Sequence, residues 1–180
     1  MLLGIVGTLG AGKGTVVSYL KEKGFAHYSA SGVLREIIES EGGVPNRDTY
    51  TIMGDKLREL NPAGPIAILY DRSIENKDTM AIIESIHDVP EAEFLKRNGA
   101  LLLGVDADLE IRYKRIKKRG SEKDNVTFED FKKIALHEEN GGGKHHIREV
   151  LHMADYTITN NGTLEELHAQ VEAVLQQIGF

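Results

Sequence analysis

A glycine-rich segment near the amino terminus has the residue types and spacing of a phosphate-binding loop. It reads Gly7-Thr8-Leu9-Gly10-Ala11-Gly12-Lys13-Gly14-Thr15, after an apolar run at 2–6 and before a stretch with helical spacing. Glycines leave room for backbone N–H groups to curl around a phosphate, and the start of a helix favours an anion. Lys13 adds an ammonium group for the terminal phosphates. Residues 8–15 are therefore predicted to bind a nucleoside triphosphate.

The end of this loop departs from the general pattern, because the residue after Lys13 is Gly14 and the hydroxyl comes one position later, at Thr15. A Gly-Lys-Gly-Thr ending resembles the adenylate-kinase branch of P-loop proteins rather than the GTPase or AAA branches. The resemblance implies ATP as phosphoryl donor and Mg²⁺ held largely through water and nucleotide phosphates. Thr15 would then contact the metal only indirectly.

Composition limits the kinds of partner. The chain has 180 residues, 41% hydrophobic and 28% charged, which fits one globular domain over 1–180. No cysteine is present, which excludes disulfides, thiolate catalysis and cysteine-based metal centres. A net charge of −6 argues against nucleic acid as a partner. No apolar run has membrane-spanning length and no leader pattern is seen, so we expect a cytoplasmic protein that binds small-molecule nucleotides; the oligomeric state stays open.

Strand and helix signals alternate along the chain and predict an α/β fold. The predicted strands are 2–6, 26–28, 79–84, 100–105 and 156–159. The predicted helices are 13–23, 31–40, 47–60, 64–76, 90–97, 109–119, 128–139, 145–153 and 164–178, with Thr127 and Thr163 as N-caps. Nearly continuous apolar strands between helices indicate a parallel sheet covered on both faces, in three layers.

The segment after the second predicted strand carries a candidate acceptor site. Ser29-Ala30-Ser31-Gly32-Val33-Leu34-Arg35 resembles an adenylate-kinase segment whose arginine contacts the acceptor phosphate. The resemblance assigns substrate binding to Ser31 and Arg35. An arginine forks onto a phosphate with two hydrogen bonds, which a lysine does not. The alternative is a solvated arginine that pairs with Glu39 on the same helix.

The third predicted strand ends in Glu84, a position where P-loop proteins place an acid that orders Mg²⁺-bound water or accepts a hydrogen bond from a substrate. The residues that follow resemble archaeal adenylate-kinase-related, dephospho-CoA-kinase-like proteins, which read Asp-Gly-hydrophobic-Arg. In this sequence Glu84 stands in place of the aspartate, Ser85 in place of the glycine and His87 in place of the arginine. We expect Glu84 and His87 to face the acceptor, with Glu84 and Thr15 near the metal. A solvated Glu84 and a structural His87 are the alternatives.

A basic helix leads into a segment that resembles the kinase lid, about 115–145. Arg115 and Arg119 match an Arg-x-x-x-Arg-Gly pattern of adenylate kinases, and both are candidate catalytic residues that stabilise the moving phosphoryl group. The alternative is a solvated basic face paired with Glu110. Further lid arginines are absent between 121 and 139. The lysines that could replace them are Lys123, Lys132, Lys133 and Lys144.

Residues 154–166 resemble the last strand and helix start of the same relatives. In P-loop kinases the loop after this strand meets the nucleobase, so Asn160 is a candidate ATP-binding residue, with Asn161 beside it. A simple turn capped by Thr163 is the alternative. A metal site at His145 and His146 is disfavoured, because adjacent histidines do not easily face one ion and no third ligand has suitable spacing.

These resemblances cover most of the chain. They imply a five-stranded parallel sheet in the order 2-3-1-4-5, with an acceptor-binding insertion at about 29–77. The expected activity is transfer of a phosphoryl group from Mg-ATP to a nucleoside monophosphate such as AMP. The alternatives are transfer to the ribose hydroxyl of dephospho-CoA, with Glu84 as base, and a nucleotide-binding sensor without catalysis.

Overall fold

A computed structural model describes residues 1–120, 126–139 and 146–180. The strands are β1 (Leu2–Gly7), β2 (Ala26–Ser29), β3 (Ala81–Glu84), β4 (Leu101–Asp106) and β5 (Tyr156–Thr159). The helices in the described residues are α1 (Lys13–Glu22), α2 (Ala30–Ser40), α3 (Arg47–Leu60), α4 (Gly64–Glu75), α5 (Val89–Arg97), α6 (Leu109–Arg119), α7 (Phe128–Glu139), α8 (Ile147–His152) and α9 (Leu164–Gln177).

The five strands form one parallel sheet in the order β2-β3-β1-β4-β5. This confirms the predicted α/β class, the strand order and the three layers. Parallel pairing brings the carboxyl ends of all strands to one edge, where P-loop proteins bind their ligands. The loop after β1 therefore lies beside the ends of β3 and β4.

Apolar side chains fill both faces of the sheet. On one face, Ile5 and Ile82 pack with α1 and α9; on the other, Val6 and Ile83 pack with α2, α4 and α5. All four side chains are fully buried. Burial of one such side chain contributes about 2 kcal/mol, so the central strands fix the sheet firmly beneath the loop.

Element bounds differ from the predicted ones by small amounts. Strand β3 begins at Ala81 rather than 79, because both neighbouring strands start their pairing opposite Ala81. Helix α8 is shorter than predicted, at Ile147–His152. The N-caps at Thr127 and Thr163 are confirmed by hydrogen bonds from backbone N–H groups to their side chains.

The structure describes only part of the predicted lid. Lys123, Lys144 and His145 lie outside the described residues. In the described parts of the chain, no helix has the length and apolar character needed to cross a bilayer.

Candidate active site

The glycine-rich loop connects β1 to α1 as the sequence predicts. Gly10 and Gly12 have φ angles of 81° and 103°, in the left-handed region that favours glycine. A Cβ atom at Gly12 would lie 2.3 Å from Asn160 Nδ2, and one at Gly10 would lie 2.8 Å from the backbone oxygen of Arg112. The backbone conformation and the close neighbours therefore both require glycine at these positions.

A cavity of about 530 Å³ opens over this loop. Loop residues form one wall, including Gly14 and Thr15, and Arg115 and Arg119 of α6 form the other. Glycine backbone and two arginines around one cavity suit a polyphosphate. Arg115 and Arg119 thus lie around one space with the predicted donor residues Leu9, Gly10, Gly12, Lys13, Gly14 and Thr15, whereas Ala11 is fully buried and does not line the cavity.

Lys13 is half-buried at the end of the loop. Its Nζ donates to the backbone oxygens of Gly7 at 2.7 Å and Thr8 at 3.0 Å. Burial lowers the pKa of Lys13 to about 8, while the negative charges of Glu138 and Glu84 act in the opposite direction. A bound polyphosphate would offer this ammonium group stronger acceptors than the two carbonyls and favour its charged form.

Arg115 and Asn160 support the loop from behind. Arg115 Nη1 donates to the backbone oxygen of Asn160 at 2.9 Å, and Nη2 donates to Asn160 Oδ1 at 3.1 Å. Asn160 Nδ2 donates to the backbone oxygen of Ala11 at 2.7 Å, and Asn160 is only 4% exposed. Both side chains therefore position the loop, and the Asn160 amide points at the protein rather than into open solvent.

The predicted donor residue Thr8 contacts an acid that sequence reasoning missed. Thr8 Oγ1 donates to Asp106 Oδ1 at 2.6 Å, and the same oxygen accepts the N–H of Ala107 at 2.9 Å. Asp106 ends β4, the neighbour of β1 in the sheet. The available signal was an acid at the carboxyl end of an apolar strand, the same signal that singled out Glu84.

An ion network is centred on the buried Glu139, at the end of α7. Arg112 Nη1 lies 2.9 Å from Glu139 Oε1, and Arg148 Nη2 lies 2.7 Å from Glu139 Oε2. Arg112 and Glu139 are about 5% exposed, so the network ties α6, α7 and α8 together. Of the lysines proposed to replace lid arginines, Lys132 and Lys133 are exposed on α7.

A second cavity, of about 230 Å³, lies between α2, α3 and the segment after β3. Ser31 and His87 line it, as predicted for acceptor-binding residues, together with Tyr50 and Thr51 of α3. Arg35 is exposed and is not among the lining residues of this cavity, but its Nε donates to the hydroxyl of Tyr50, which lines it, at 3.2 Å. This hydrogen bond raises the pKa of Arg35, with a smaller contribution from the charge of Glu39.

His87 lies between this acceptor cavity and Lys13. It also lines a third cavity, of about 240 Å³, whose walls include Gly7, Thr8, Lys13 and Glu138. The acceptor cavity and the space around Lys13 therefore share the His87 side chain. The structure brings this predicted residue to the boundary between the two predicted substrates.

Arg58 also lines the acceptor cavity, and sequence reasoning missed it. Its Nε and Nη2 contact Glu91 Oε1 at 2.9 and 2.8 Å. Glu91 is fully buried, and its second oxygen accepts the N–H of His87 at 2.8 Å. Burial raises the pKa of Glu91, while Arg58 and the His87 N–H oppose that rise.

Glu84 lies at the end of β3, close to a histidine of β2, the neighbouring strand in the sheet. His27 Nε2 is 3.0 Å from Glu84 Oε1, and both side chains are largely buried. Thr15 lines the cavity over the loop, and within the described residues no three acids or histidines form a metal-binding group. Glu84 is not among the residues that line this cavity, so the structure does not bring the two predicted metal-binding residues to one cavity. Both side chains offer oxygen atoms, the kind of ligand that an ATP-bound Mg²⁺ takes directly or through water.

Comparisons with known proteins place the chain in a family. A family model described as an AAA domain matches residues 3–137. The UPF0200 protein of Sulfurisphaera tokodaii is 30% identical over 178 residues, which are 98% of this chain and 97% of that protein. The chain belongs to the UPF0200 family and contains an AAA domain. The predicted preference for the adenylate-kinase branch over the AAA branch gains no support from this match and stays a prediction.

Solved structures with the same fold include small-molecule kinases. Shikimate kinase from Aquifex aeolicus has a TM-score of 0.61 at 16% identity and covers 100% of both chains. Dephospho-CoA kinase from Campylobacter jejuni has a TM-score of 0.58 at 19% identity, covering 98% of this chain and 96% of that chain. At such identities the likeness shows the P-loop kinase-like fold alone.

Proposed function

We propose that this UPF0200 protein is a phosphotransferase that moves the γ-phosphoryl group of ATP to a nucleoside or deoxynucleoside monophosphate such as AMP, giving ADP and the diphosphate. The observation that carries the proposal is the position of His87, which lines both the acceptor cavity and the cavity around Lys13. A monophosphate in the first cavity would face a γ-phosphate held at the second. Such alignment supplies most of the catalysis in phosphoryl transfer.

On the donor side, residues 8–15 hold the polyphosphate and Lys13 binds its terminal phosphates. Arg119 neutralises charge on the transferred group, while Arg115 acts through the loop that it braces. Mg²⁺, bound to the phosphates and their waters beside Thr15 and Glu84, supplies further charge neutralisation.

On the acceptor side, Ser31, Arg35 and His87 bind the monophosphate. Arg35 is a permanent cation next to the cavity, and its Nη groups are the natural partners for a phosphate. In this proposal residues 29–77 form the acceptor-binding part and residues 115–145 the lid of a single domain over 1–180. Closure of the lid excludes water that would otherwise hydrolyse ATP.

A second candidate is transfer to a hydroxyl acceptor such as dephospho-CoA. The position of Glu84 favours it, since a carboxylate with His27 Nε2 at 3.0 Å and with Lys13 nearby is suited to accept a hydroxyl proton. A nucleoside monophosphate does not need such a base, because its phosphate oxygen is already ionised.

Release of ADP, measured with a panel of acceptors, separates these candidates. The panel contains the common ribo- and deoxyribonucleoside monophosphates, dephospho-CoA and shikimate. We expect a monophosphate to stimulate ADP release well above the rate without acceptor. Stimulation by dephospho-CoA alone would favour the hydroxyl acceptor, and ATP binding without stimulation by any acceptor would favour a sensor.

A further inference from the structure

Arg58 lines the acceptor cavity, and one edge of its guanidinium group is held in place by carboxylates. Nε and Nη2 both contact Glu91 Oε1, and Nη1 lies 3.5 Å from Asp55 Oδ1. Glu91 is held in turn by the backbone N–H groups of His87 and Asp88. Rotation of the guanidinium plane would break these contacts, so its orientation is set before any ligand arrives.

The charges around Arg58 make it a poor anchor for a phosphate. Its guanidinium is flanked by the carboxylates of Glu91 and Asp55, so these acids already compensate its positive charge. An anion at this end of the cavity would meet repulsion from both acids. Arg35, next to the cavity, instead donates its described hydrogen bond to the hydroxyl of Tyr50. The Arg58 end therefore suits an uncharged part of the acceptor.

Two glycines let the Arg58 side chain pack closely against its neighbours. A Cβ atom at Gly54 would lie 3.2 Å from Arg58 Nη1, and one at Gly64 would lie 2.8 Å from Arg58 Cγ. Gly54 lies inside α3, where glycine is less favourable than alanine, so its small size serves the position of Arg58. Leu34 and Pro65 supply apolar surface in the same cavity of about 230 Å³. A fixed cationic plane and apolar walls around this cavity suit a flat aromatic ring.

We propose that Arg58 is the base-binding residue of the acceptor site, with the nucleobase of the monophosphate stacked on its guanidinium plane. Guanidinium groups stack on aromatic rings because they are planar, delocalised and weakly hydrated. The phosphate then lies toward Arg35 and His87, and so toward Lys13. This inference rests on the proposed function and names the acceptor as a nucleotide rather than a sugar acid or another small alcohol.

Substitution of Arg58 by lysine tests the stacking directly. Lysine retains the positive charge beside Glu91 but has no planar group. The titrations measure binding of AMP and of ribose 5-phosphate, which lacks the base, by calorimetry. We expect Arg58→Lys to weaken AMP binding about tenfold, because the stacking of the base on the guanidinium plane is lost. Binding of ribose 5-phosphate should change by less than about twofold. Arg97→Lys, at an exposed arginine paired with Glu93, is the matched control.

Two results would overturn the inference. Unchanged AMP affinity in Arg58→Lys means that Arg58 only neutralises Glu91, and equal losses for AMP and ribose 5-phosphate mean that it binds the phosphate. Arg58→Ala alone would leave the buried Glu91 carboxylate without its partner. The double variant Arg58→Ala/Glu91→Gln removes both charges, and it must lose affinity for AMP but not for ribose 5-phosphate. If the wild-type protein binds none of the monophosphates, the proposed function fails as well. If Arg58→Lys phosphorylates AMP with an unchanged KM, the role of Arg58 in base binding is wrong, while the proposed function stands.

Discussion

Asn160 Nδ2 donates a hydrogen bond to the backbone oxygen of Ala11 at 2.7 Å, which joins the end of β5 to the phosphate-binding loop. The two residues are 149 positions apart in the chain. Arg115 completes the arrangement, because its guanidinium contacts Asn160 through Nη1 and Nη2. The conformation of the loop is therefore supported by residues from two distant parts of the sequence.

We predict that Asn160→Ala weakens nucleotide binding without changing base preference. The substitution removes the hydrogen bonds from Asn160 Nδ2 to the Ala11 oxygen and from Arg115 Nη2 to Asn160 Oδ1, while Arg115 Nη1 keeps its contacts with backbone oxygens. This loss should lower the free energy of unfolding by about 1–3 kcal/mol. The Kd values for ATP and GTP should rise by the same factor. Denaturant unfolding and calorimetric titrations measure both effects. A changed ratio of the two Kd values at unchanged stability would show instead that Asn160 contacts the base.

Arg35→Ala should act on the acceptor alone. A charged hydrogen bond to phosphate contributes about 1.5–3 kcal/mol, so we expect the KM for the monophosphate to rise about 10- to 100-fold. The KM for ATP should stay within about twofold, because Arg35 is not among the residues around the donor cavity. Arg97→Ala, at another exposed arginine, is the control for general effects of charge. Equal rises in both KM values would place Arg35 outside the acceptor site.

Gly54→Ala should separate helix stability from ligand binding. Alanine favours α3 by about 1 kcal/mol over glycine, but its Cβ atom lies 3.2 Å from Arg58 Nη1. We expect an unchanged or higher melting temperature together with weaker monophosphate binding. Gly32→Ala in α2 is the matched helical control, since its added Cβ meets Ser29 Cβ at an ordinary 3.7 Å. If monophosphate affinity is unchanged in Gly54→Ala, the space that Gly54 leaves for the Arg58 guanidinium group is not needed for binding.

The lowered pKa of Lys13 predicts pH-dependent nucleotide binding. Lys13 is charged below its pKa of about 8 and becomes neutral above it in the free protein. A bound polyphosphate favours the charged form, so binding above pH 8 requires proton uptake. The Kd of a non-hydrolysable ATP analogue should therefore rise as the pH increases from about 8 to 10. Lys13→Arg stays charged over this range, and its Kd should remain nearly constant. The same change of Kd with pH in both proteins would contradict the assignment of the pH dependence to Lys13.

The sequence was sufficient to predict those parts of the structure that depend on a local residue pattern. The loop from Gly7 to Thr15 combines a preceding strand, spaced glycines and a following helix within one short segment. Alternating helices and strands restricted the fold, and the resemblance to adenylate kinases supplied the strand order that the sheet confirms. Ser31 and His87 reach the acceptor cavity because both follow strands that end at the same edge of the sheet.

Side chains whose roles depend on contacts between distant elements were not predictable in this way. Arg58 resembled any helix arginine, because its partner Glu91 is 33 residues away and the fold alone brings them together. Gly54, one helical turn before Arg58, was the one sequence signal for that site. Asn160 and Arg115 were selected as ligand contacts, but their hydrogen bonds are made within the protein.

Transfer of labelled phosphate from [γ-³²P]ATP to a nucleoside monophosphate tests the central claim most directly. We predict that the wild-type protein forms labelled nucleoside diphosphate with at least one common monophosphate. Lys13→Ala should lower this rate at least about 100-fold while the melting temperature of the protein is retained. Lys21→Ala, at an exposed lysine in the last turn of α1, should leave the rate unchanged. Absence of labelled diphosphate with every monophosphate, or an undiminished rate in Lys13→Ala, would contradict the account.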